Sequence, residues 1–262
     1  MKKLSLQHVI LLCVSLMLFA SCMGEGSNRE SGYIVGVVRL HEVSGIKVLY
    51  IDDYNSLYSI AFANTNLDAC LQVYYELDYD LPENSYDNLI ANGYYTVTIL
   101  DKMELDPFVM SYSLTDTSRV LNNELPITEP LYNRDIIAYI KGWSFICNVI
   151  ELPEGQEMSW DLSCDMSDYV KEENNQRKYD VFLRSYLKPG ATASTKSNIT
   201  AYPVNAYNMR SYMDRIARDE KALGSTSFTI RFNYPSKIED DVITWSSVES
   251  NAISVDVVIP EE

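Results

Sequence analysis

The sequence predicts an all-β protein of two domains, a small N-terminal barrel followed by a C-terminal β-sandwich, with one short helix crossing between strands. The first observation is an alternation of apolar and polar residues, clearest in LQVYYELDYDL at residues 71–81, which is typical of a strand with one buried face. The second is that turn-forming residues separate such runs, as at Ser44-Gly45 and at residues 153–155. The third is an irregular stretch with three prolines over residues 106–133, which divides the runs into two sets.

The first 21 residues are typical of a signal peptide. Lys2 and Lys3 precede an apolar run at residues 9–20, which is too short to span a membrane, and small residues stand before Cys22. This arrangement resembles a bacterial lipobox, so we expect cleavage before Cys22 and attachment of lipid to it; the alternative is an ordinary secretory signal with an incidental cysteine. Residues 22–32 are mostly polar and rich in glycine and serine, and they predict a flexible tether. Lipid on Cys22 would hold the protein at a membrane of the cell envelope. The outer membrane is the expected one, with its periplasmic and outer faces both left open.

Residues 33–125 predict the barrel. Gly36 interrupts the run YIVGVVRL and indicates a bulge or bend of the kind that small barrels need at corners. Five strands with a bend in the first suit an OB-like β-barrel, although periodicity alone does not distinguish a barrel from a sandwich. OB-type barrels often bind ligands on the face of their second and third strands, which makes Tyr50, Tyr54 and Tyr58 candidate ligand-binding residues, with packing as the alternative.

Residues 126–262 predict the β-sandwich domain. One segment, SYMDRIARDEKALG, has helical spacing, with Ser211 as the expected N-cap and Gly224 as the stop. The strand runs have the number and spacing of a sandwich, and they lie near residues 136–152, 158–166, 179–187, 198–204, 227–235 and 252–260.

Composition limits the classes of partner. The formal net charge of −16 repels phosphate, so we expect no nucleic-acid partner. The same charge suits simple solubility or a cationic partner such as a basic peptide. Twenty tyrosines are explained either by packing on sheets or by exposed rings that stack on sugars or peptides.

Catalytic and metal-binding patterns are weak, and we expect a protein without catalytic activity, cofactor or metal. His41 is the single histidine after the signal peptide and lies in a strand-like run, so a structural role is favoured. The sequence contains no phosphate loop, dinucleotide fingerprint or nucleophile elbow. Acidic residues that could form a hydrolase pair or a calcium site are better explained as solvated positions at turns and strand edges; they are Asp52 with Asp53, Asp78 with Asp80, Asp240 with Asp241, and Asp161 with Asp165 and Asp168.

The cysteines allow one disulfide. Cys147 and Cys164 flank the turn ELPEGQEM and would face each other if that turn joined two paired strands. Two buried free thiols are the alternative. Cys70 stays unpaired in either case.

Three longer stretches carry a family resemblance: NGYYTVTILDKMEL, LYNRDIIAYIKGWSFICNVIEL and AYNMRSYMDRIARDEKALGSTSFTIRF. Together with the lipobox, they resemble the NigD-like family of bacterial lipoproteins. The resemblance implies an N-terminal OB-type domain, a C-terminal β-sandwich domain and an envelope protein with a role of the bacteriocin-immunity type. Cys22 is the one residue whose role the resemblance transfers, as lipid acceptor. We therefore expect an interaction protein with a protein, peptide or glycan ligand; the alternatives are a structural subunit or spacer of a surface assembly and a glycan-binding lipoprotein.

Overall fold

The computed structural model of the protein describes residues 28–130, 138–173, 176–188 and 198–258. The signal peptide, Cys22 and the tether as far as residue 27 lie outside these ranges. The chain forms an OB-like barrel followed by a β-sandwich, so the predicted all-β class is confirmed. No helix within the described ranges has the length and apolar character needed to cross a membrane.

Six strands form the barrel sheet, in the order β5-β3-β2-β1-β4-β6. The two end strands of this order are consecutive in the chain with only Val97 between them, so they close the sheet on itself as one broken strand. Val97 continues the connection because its amide donates to the Tyr58 carbonyl at 2.9 Å. The strands are β1 Arg29–Leu40, β2 Lys47–Tyr50, β3 Ser56–Tyr58, β4 Cys70–Asp78, β5 Tyr95–Thr96 and β6 Thr98–Glu104, with 3-10 turns at Ile60–Phe62 and Pro82–Asn84 and helix α1 at Tyr86–Asn92.

Gly36 marks the bend in β1, as expected. It lies where β1 changes its main partner, from β4 over residues 29–37 to β2 over residues 37–40. A Cβ atom at Gly36 would lie 2.3 Å from the carbonyl oxygen of Tyr50. Only glycine permits this close approach of β2 without movement of the backbone.

The barrel interior is filled by alternate residues of its strands, as the period-two pattern predicts. Phe62 covers one end of this core from the 3-10 turn that follows β3. The buried members of the core are Val38, Leu49, Leu57, Phe62, Ala69, Leu71, Val73, Leu77 and Val97.

The predicted tether is too long at its C-terminal end, because residues 29–32 belong to β1. Arg29 pairs across the sheet with β4 and its guanidinium forms ion pairs with Glu76 at 3.2 Å and Asp78 at 2.9 Å. Glu30 accepts hydrogen bonds from the hydroxyls of Tyr75 and Tyr79. These side chains are polar yet find partners on the neighbouring strand, which composition alone does not reveal.

The sandwich consists of two main sheets that face each other. The first has the order β10-β11-β16-β7, with β9 and β15 paired to β11; the second has the order β12-β14-β18-β19, with β8 and β13 paired to β14. The strands are β7 Pro107–Val109, β8 Glu124–Leu125, β9 Glu129–Pro130, β10 Ala138–Ile140, β11 Trp143–Pro153, β12 Met158–Ser163, β13 Val170–Glu173, β14 Gln176–Leu187, β15 Asn198–Ala201, β16 Val204–Asn208, β17 Ser227–Phe228, β18 Ile230–Glu239, β19 Val242–Glu249 and β20 Ile253–Ser254. Strands β17 and β20 form a separate pair.

Helix α2, Arg210–Ala222, crosses from β16 in the first sheet towards β17 and β18. It buries Tyr212, Met213, Ile216 and Ala217 in the sandwich core. The helix ends before Gly224, whose φ of +80° is the left-handed conformation expected of a glycine stop. The expected N-cap at Ser211 is wrong: the cap position is Met209, which makes no side-chain capping bond.

Two further expectations for the second domain are wrong. The predicted strand at residues 252–260 is wrong over most of its described part, because β20 ends at Ser254 and helix α3, Val255–Val258, follows. Residues 259–260 of this run lie outside the described ranges. The domain boundary also lies earlier than residue 125, because β7 pairs in parallel with β16 and β8 pairs with β14. The described part of the irregular stretch, residues 106–130, therefore belongs to the sandwich.

The barrel and the sandwich share a hydrophobic cluster. Val37, Val48 and Tyr50 point away from the barrel interior and pack against Trp143 and Phe145 of β11. Both faces are thus buried in β1 at Val37-Val38 and in β2 at residues 48–50, one face inside the barrel and one against the sandwich. The remaining buried members of this cluster, which we call the docking cluster, are Cys70, Leu105, Ile140 and Ala206.

Candidate ligand-binding cleft

A cleft of about 800 Å³ lies beside the docking cluster, between the barrel and the sandwich. Its walls come from three parts of the chain. The barrel contributes Tyr33, Ile34, Val35, Gln72 and residues 51–54; the first sandwich sheet contributes Tyr139, Ile140, Ser144, Phe145, Cys147 and Val204; the third wall consists of Met213, Ile230, Phe232, residues 250–254 and Val257.

The barrel wall follows from the alternation of β1 and β4. Tyr33 and Val35 point outward, and Val35 lies opposite Gln72 in the antiparallel register. Tyr33 lies opposite Tyr74, and the two rings stack with centroids 4.7 Å apart. Tyr33 remains 69% exposed, so its ring stands at the edge of the cleft and is supported from behind.

The turn between β2 and β3 forms the second part of the barrel wall. Oδ1 of Asp52 accepts hydrogen bonds from the amides of Tyr54 at 2.7 Å and Asn55 at 2.6 Å. Its Oδ2 accepts from the Asn55 side-chain amide at 2.7 Å. Asp52 is therefore used to hold the turn, and the turn presents Asp53 and Tyr54 to the cleft.

Asp53 is an acidic group of the cleft that is largely removed from water. Burial raises its pKa to about 6, and the neighbouring charge of Asp52 acts in the same direction. The positive charge of Lys141 and a hydrogen bond from the Lys141 backbone oppose this rise. Across the cleft, burial and the charges of Asp214 and Asp53 raise the pKa of Tyr139, which therefore carries its phenolic proton at neutral pH.

The hairpin turn Lys141-Gly142 joins β10 to β11 and contacts the barrel. Lys141 has φ +49° and Gly142 has φ +98°, the combination that a two-residue type I′ turn requires. The Lys141 carbonyl accepts from Arg39 at 3.2 Å and from Arg210 at 3.0 Å. The ammonium group of Lys141 lies 4.7 Å from the centre of the Tyr50 ring, which is a favourable cation–π geometry. These contacts with both domains offset the cost of a left-handed lysine.

The three tyrosines expected to bind ligand do not form one surface. Tyr50 is 6% exposed and lies in the docking cluster beneath Lys141. Tyr58 is partly buried and packs against Tyr94 with ring centroids 5.4 Å apart. Tyr54 is 81% exposed and lines the cleft. Tyr33 was missed, although its outward position on the first strand follows from the alternation.

Within the described ranges the cysteines are Cys70, Cys147 and Cys164, and all three are buried free thiols. The structure therefore contains the alternative of two buried thiols and not the Cys147–Cys164 disulfide. Cys147 and Cys164 were expected to face each other across a hairpin. Strands β11 and β12 instead belong to different sheets, so the turn between them is a crossing from one sheet to the other. Cys147 lines the cleft, and burial raises the pKa of its thiol. Cys164 lies in the sandwich core, where burial raises its pKa to about 12.

The other candidate residues have local partners. His41 is buried, with its Nδ1 3.1 Å from the Ser44 hydroxyl and its ring edge against Tyr94. In the part of the chain that the structure describes, no three His, Cys, Asp or Glu side chains are grouped as metal ligands. The acidic residues proposed for calcium have separate contacts: Asp161 accepts from Thr115, Asp165 from Ser167, and Asp168 pairs with Lys171.

Comparison with known proteins gives a family match for the barrel. Residues 26–103 match the family described as Lipoprotein OB domain. The barrel is similar to that domain. The match ends one residue before β6 does, which agrees with a barrel boundary near Glu104. No protein of curated function matches the chain.

Solved structures resemble both domains together. An uncharacterised protein from Parabacteroides merdae ATCC 43184 is 23% identical with a TM-score of 0.68, over 86% of this chain and 99% of that one. A protein from Bacteroides fragilis NCTC 9343, named provisionally as a lipoprotein, is 15% identical with a TM-score of 0.53, over 86% of this chain and 99% of that one. These similarities establish that the pairing of barrel and sandwich occurs in other proteins.

Proposed function

We propose that this protein is a lipid-anchored protein of the cell envelope, without catalytic activity, that binds a small ligand in the cleft between its domains. The observation that carries the proposal is the cleft itself. Its volume of about 800 Å³ lies within the range of small-molecule sites, and its mainly apolar walls with a few polar groups are typical of them. A folded protein partner could touch its rim but could not enter it.

The cleft favours a ligand with flat apolar faces and hydroxyl or amide groups. Two exposed tyrosines, Tyr33 and Tyr54, offer rings against which a sugar ring or a peptide side chain can pack. Gln72 and Ser144 supply hydrogen-bonding groups in the wall. Short glycans and short peptide segments both meet this description.

A binding role accounts for the charged groups better than a catalytic one. Asp53 receives a hydrogen bond from the Lys141 backbone and lies in the field of the Lys141 ammonium group. Lys141 in turn contacts Tyr50 and approaches Glu42 at 3.9 Å. Asp53 and Lys141 therefore take part in contacts between the two domains. Their charges stabilise the arrangement that forms the cleft.

Lipid attachment at Cys22 is supported by the barrel's similarity to the Lipoprotein OB domain. The match begins at residue 26, four positions after Cys22. The provisional lipoprotein name of the Bacteroides fragilis protein points the same way. We retain the outer membrane as the proposed location. Mass spectrometry of the N-terminal peptide from native membranes tests the lipid directly, with Cys22→Ser as the unlipidated control.

Calorimetric titration tests the ligand. Short oligosaccharides and short cationic peptides would be titrated into the protein and into Tyr33→Ala and Tyr54→Ala variants. Tyr86→Ala is the matched control, since Tyr86 is similarly exposed but lies on a different part of the barrel. Binding that is weakened by the first two changes and not by the third supports the cleft, whereas binding unaffected by all three places the ligand elsewhere.

The bacteriocin-immunity role implied by the NigD-like resemblance is one form of this proposal. A cationic bacteriocin peptide would be drawn by the net charge of −16. The peptide arm of the titration tests it, and salt-dependent binding is its expected signature.

A further inference from the structure

The end of the barrel at which β1 begins carries an exposed apolar surface. Helix α1 lies at this end, and none of its residues is buried. Tyr86 is 75% exposed and Ile90 is 66% exposed. The two residues are four positions apart, so they share one face of the helix. With Tyr79 and Leu81, which are also exposed, they form what we call the anchor-end patch.

The patch is fixed to the barrel. Asn84, which is buried, donates from its side-chain amide to the carbonyls of Asp78 and Thr96, both at 2.8 Å. Its Oδ1 accepts from the Thr96 amide at 2.8 Å. Asn88 donates to the Pro82 carbonyl at 2.7 Å, which ties α1 to the preceding 3-10 turn. These hydrogen bonds fix the position of helix α1 on the barrel, with Tyr86 and Ile90 exposed to solvent.

The chain that leads to Cys22 leaves the barrel at the same end. The carbonyl of Asn28 accepts from the Tyr79 amide at 2.8 Å, and the Asn28 side chain contacts Asp80 at 3.2 Å. Only six residue steps separate Asn28 from Cys22, so even a fully extended connection spans about 20 Å. A lipid on Cys22 therefore keeps this end of the barrel close to the bilayer.

We propose that the anchor-end patch rests on the lipid bilayer surface, with the barrel next to the membrane and the sandwich away from it. This inference rests on the proposed lipid attachment at Cys22. The bilayer is the expected partner of the patch because the segment between Cys22 and Asn28 is short and joins the barrel at this end. The amphipathic tyrosine rings suit the boundary between headgroups and acyl chains.

This orientation also determines how far the cleft lies from the membrane. The docking cluster begins at Val37, eight residues along β1 from Arg29, which is about 26 Å at the rise of a strand. Tyr33 lies about halfway along that distance. The barrel would act as a spacer that holds the cleft above the lipid headgroups and open to water.

Charge at this end favours an uncharged bilayer. Asp80, Glu83 and Asp87 are exposed and lie in or beside the segment that carries the patch. Anionic lipid would repel them, whereas a zwitterionic surface would accept the patch through burial of its apolar side chains.

Hydroxyl-radical footprinting tests the orientation without altering the protein. The lipidated chain would be inserted in phosphatidylcholine vesicles, with and without phosphatidylglycerol, and oxidation of individual tyrosines would be measured by mass spectrometry. We expect labelling of Tyr86 to fall several-fold relative to the soluble Cys22→Ser protein. Tyr54 and Tyr202, which are exposed away from this end, should be labelled equally in both states. Ile90→Asp in the lipidated protein should restore labelling of Tyr86.

The outcomes separate the two proposals. If the N-terminal peptide carries no lipid and the protein does not float with vesicles, lipid attachment is wrong. If the lipidated protein floats but Tyr86 is labelled as in solution, the orientation is wrong and the anchor stands. Protection of Tyr86 that disappears when the protein is diluted on the vesicles would assign the patch to a second copy and would overturn the bilayer assignment.

Discussion

Replacement of Glu124 by glutamine should cause a large loss of stability, because it leaves a buried guanidinium without its counter-charge. Arg184 is 0% exposed and donates from Nε to Glu124 Oε1 at 2.5 Å and from Nη2 to Oε2 at 2.7 Å. The same guanidinium donates to the carbonyls of Asp116 and Arg119. The pair thereby fastens the irregular stretch that follows the barrel to strand β14.

The expected size of the loss follows from this burial. Removing one partner of a buried ion pair costs about 3–5 kcal/mol, since the remaining charge stays desolvated. Glutamine keeps one acceptor oxygen but turns an amide donor towards a group that only donates. It also endangers the hydrogen bond that Oε2 of Glu124 accepts from the Leu121 amide at 2.9 Å. We therefore expect about 3 kcal/mol or more.

Urea unfolding followed by tryptophan fluorescence measures the effect. Glu239→Gln is the matched control, because Glu239 pairs with Lys237 at 2.8 Å on the surface, and its loss should be below about 1 kcal/mol. The double variant Glu124→Leu with Arg184→Met should recover much of the stability, as apolar replacement of a buried pair often does. A Glu124→Gln variant that loses less than about 1 kcal/mol would refute the reasoning.

Three further predictions concern the barrel, the cleft and the thiols. Gly36→Ala should destabilise the protein by about 1–3 kcal/mol in urea unfolding, because its Cβ would meet the Tyr50 carbonyl at 2.3 Å; an unchanged midpoint would contradict the close approach. Asp53 has a folded pKa of about 6, above the usual 3.8, so its burial penalty is absent well below pH 3.8, grows through the window between the two pKa values, and is complete only above about pH 7. Asp53→Asn should therefore raise the free energy of unfolding by about 1–2 kcal/mol at pH 7.5, a value reduced for partial exposure, and by almost nothing at about pH 3; an equal gain at both pH values would contradict it. Since Cys147 and Cys164 are free, reducing agent should leave the melting temperature unchanged, and a fall would reveal a disulfide.

Local patterns predicted those elements whose neighbours lie close in the sequence or whose faces differ strongly. Strand β4 followed from strict alternation, and helix α2 followed from its spacing and from Gly224. The run AISVDVVIP also alternates, yet only its start pairs with β17 before helix α3 begins. Whether a short β-branched run forms a strand depends on whether a neighbouring strand is available to pair with it. That neighbour cannot be read from the sequence of the run itself.

The cleft could not be predicted, because it unites residues from Tyr33 to Val257 that only tertiary structure brings together. Two signals in the sequence nevertheless pointed to an interface between the domains. In β1 and β2 the apolar residues do not alternate but run on, as in Val37-Val38 and residues 48–50. A continuous apolar run indicates a strand covered on both faces, and here the second cover is the sandwich. Lys141-Gly142 was a second signal, since a glycine after a short apolar run marks a hairpin turn.

The docking cluster also determines how the cleft can work. Domains within one chain move relative to each other unless their interface is large and apolar. Val37, Val48 and Phe145 are fully buried in this interface, and Lys141 bonds to groups of both domains around it. Opening the cleft by a hinge would expose these side chains and break those bonds together. The cleft is therefore preformed, and its ligand should bind without domain closure, so that affinity depends on how well the ligand fits the existing walls.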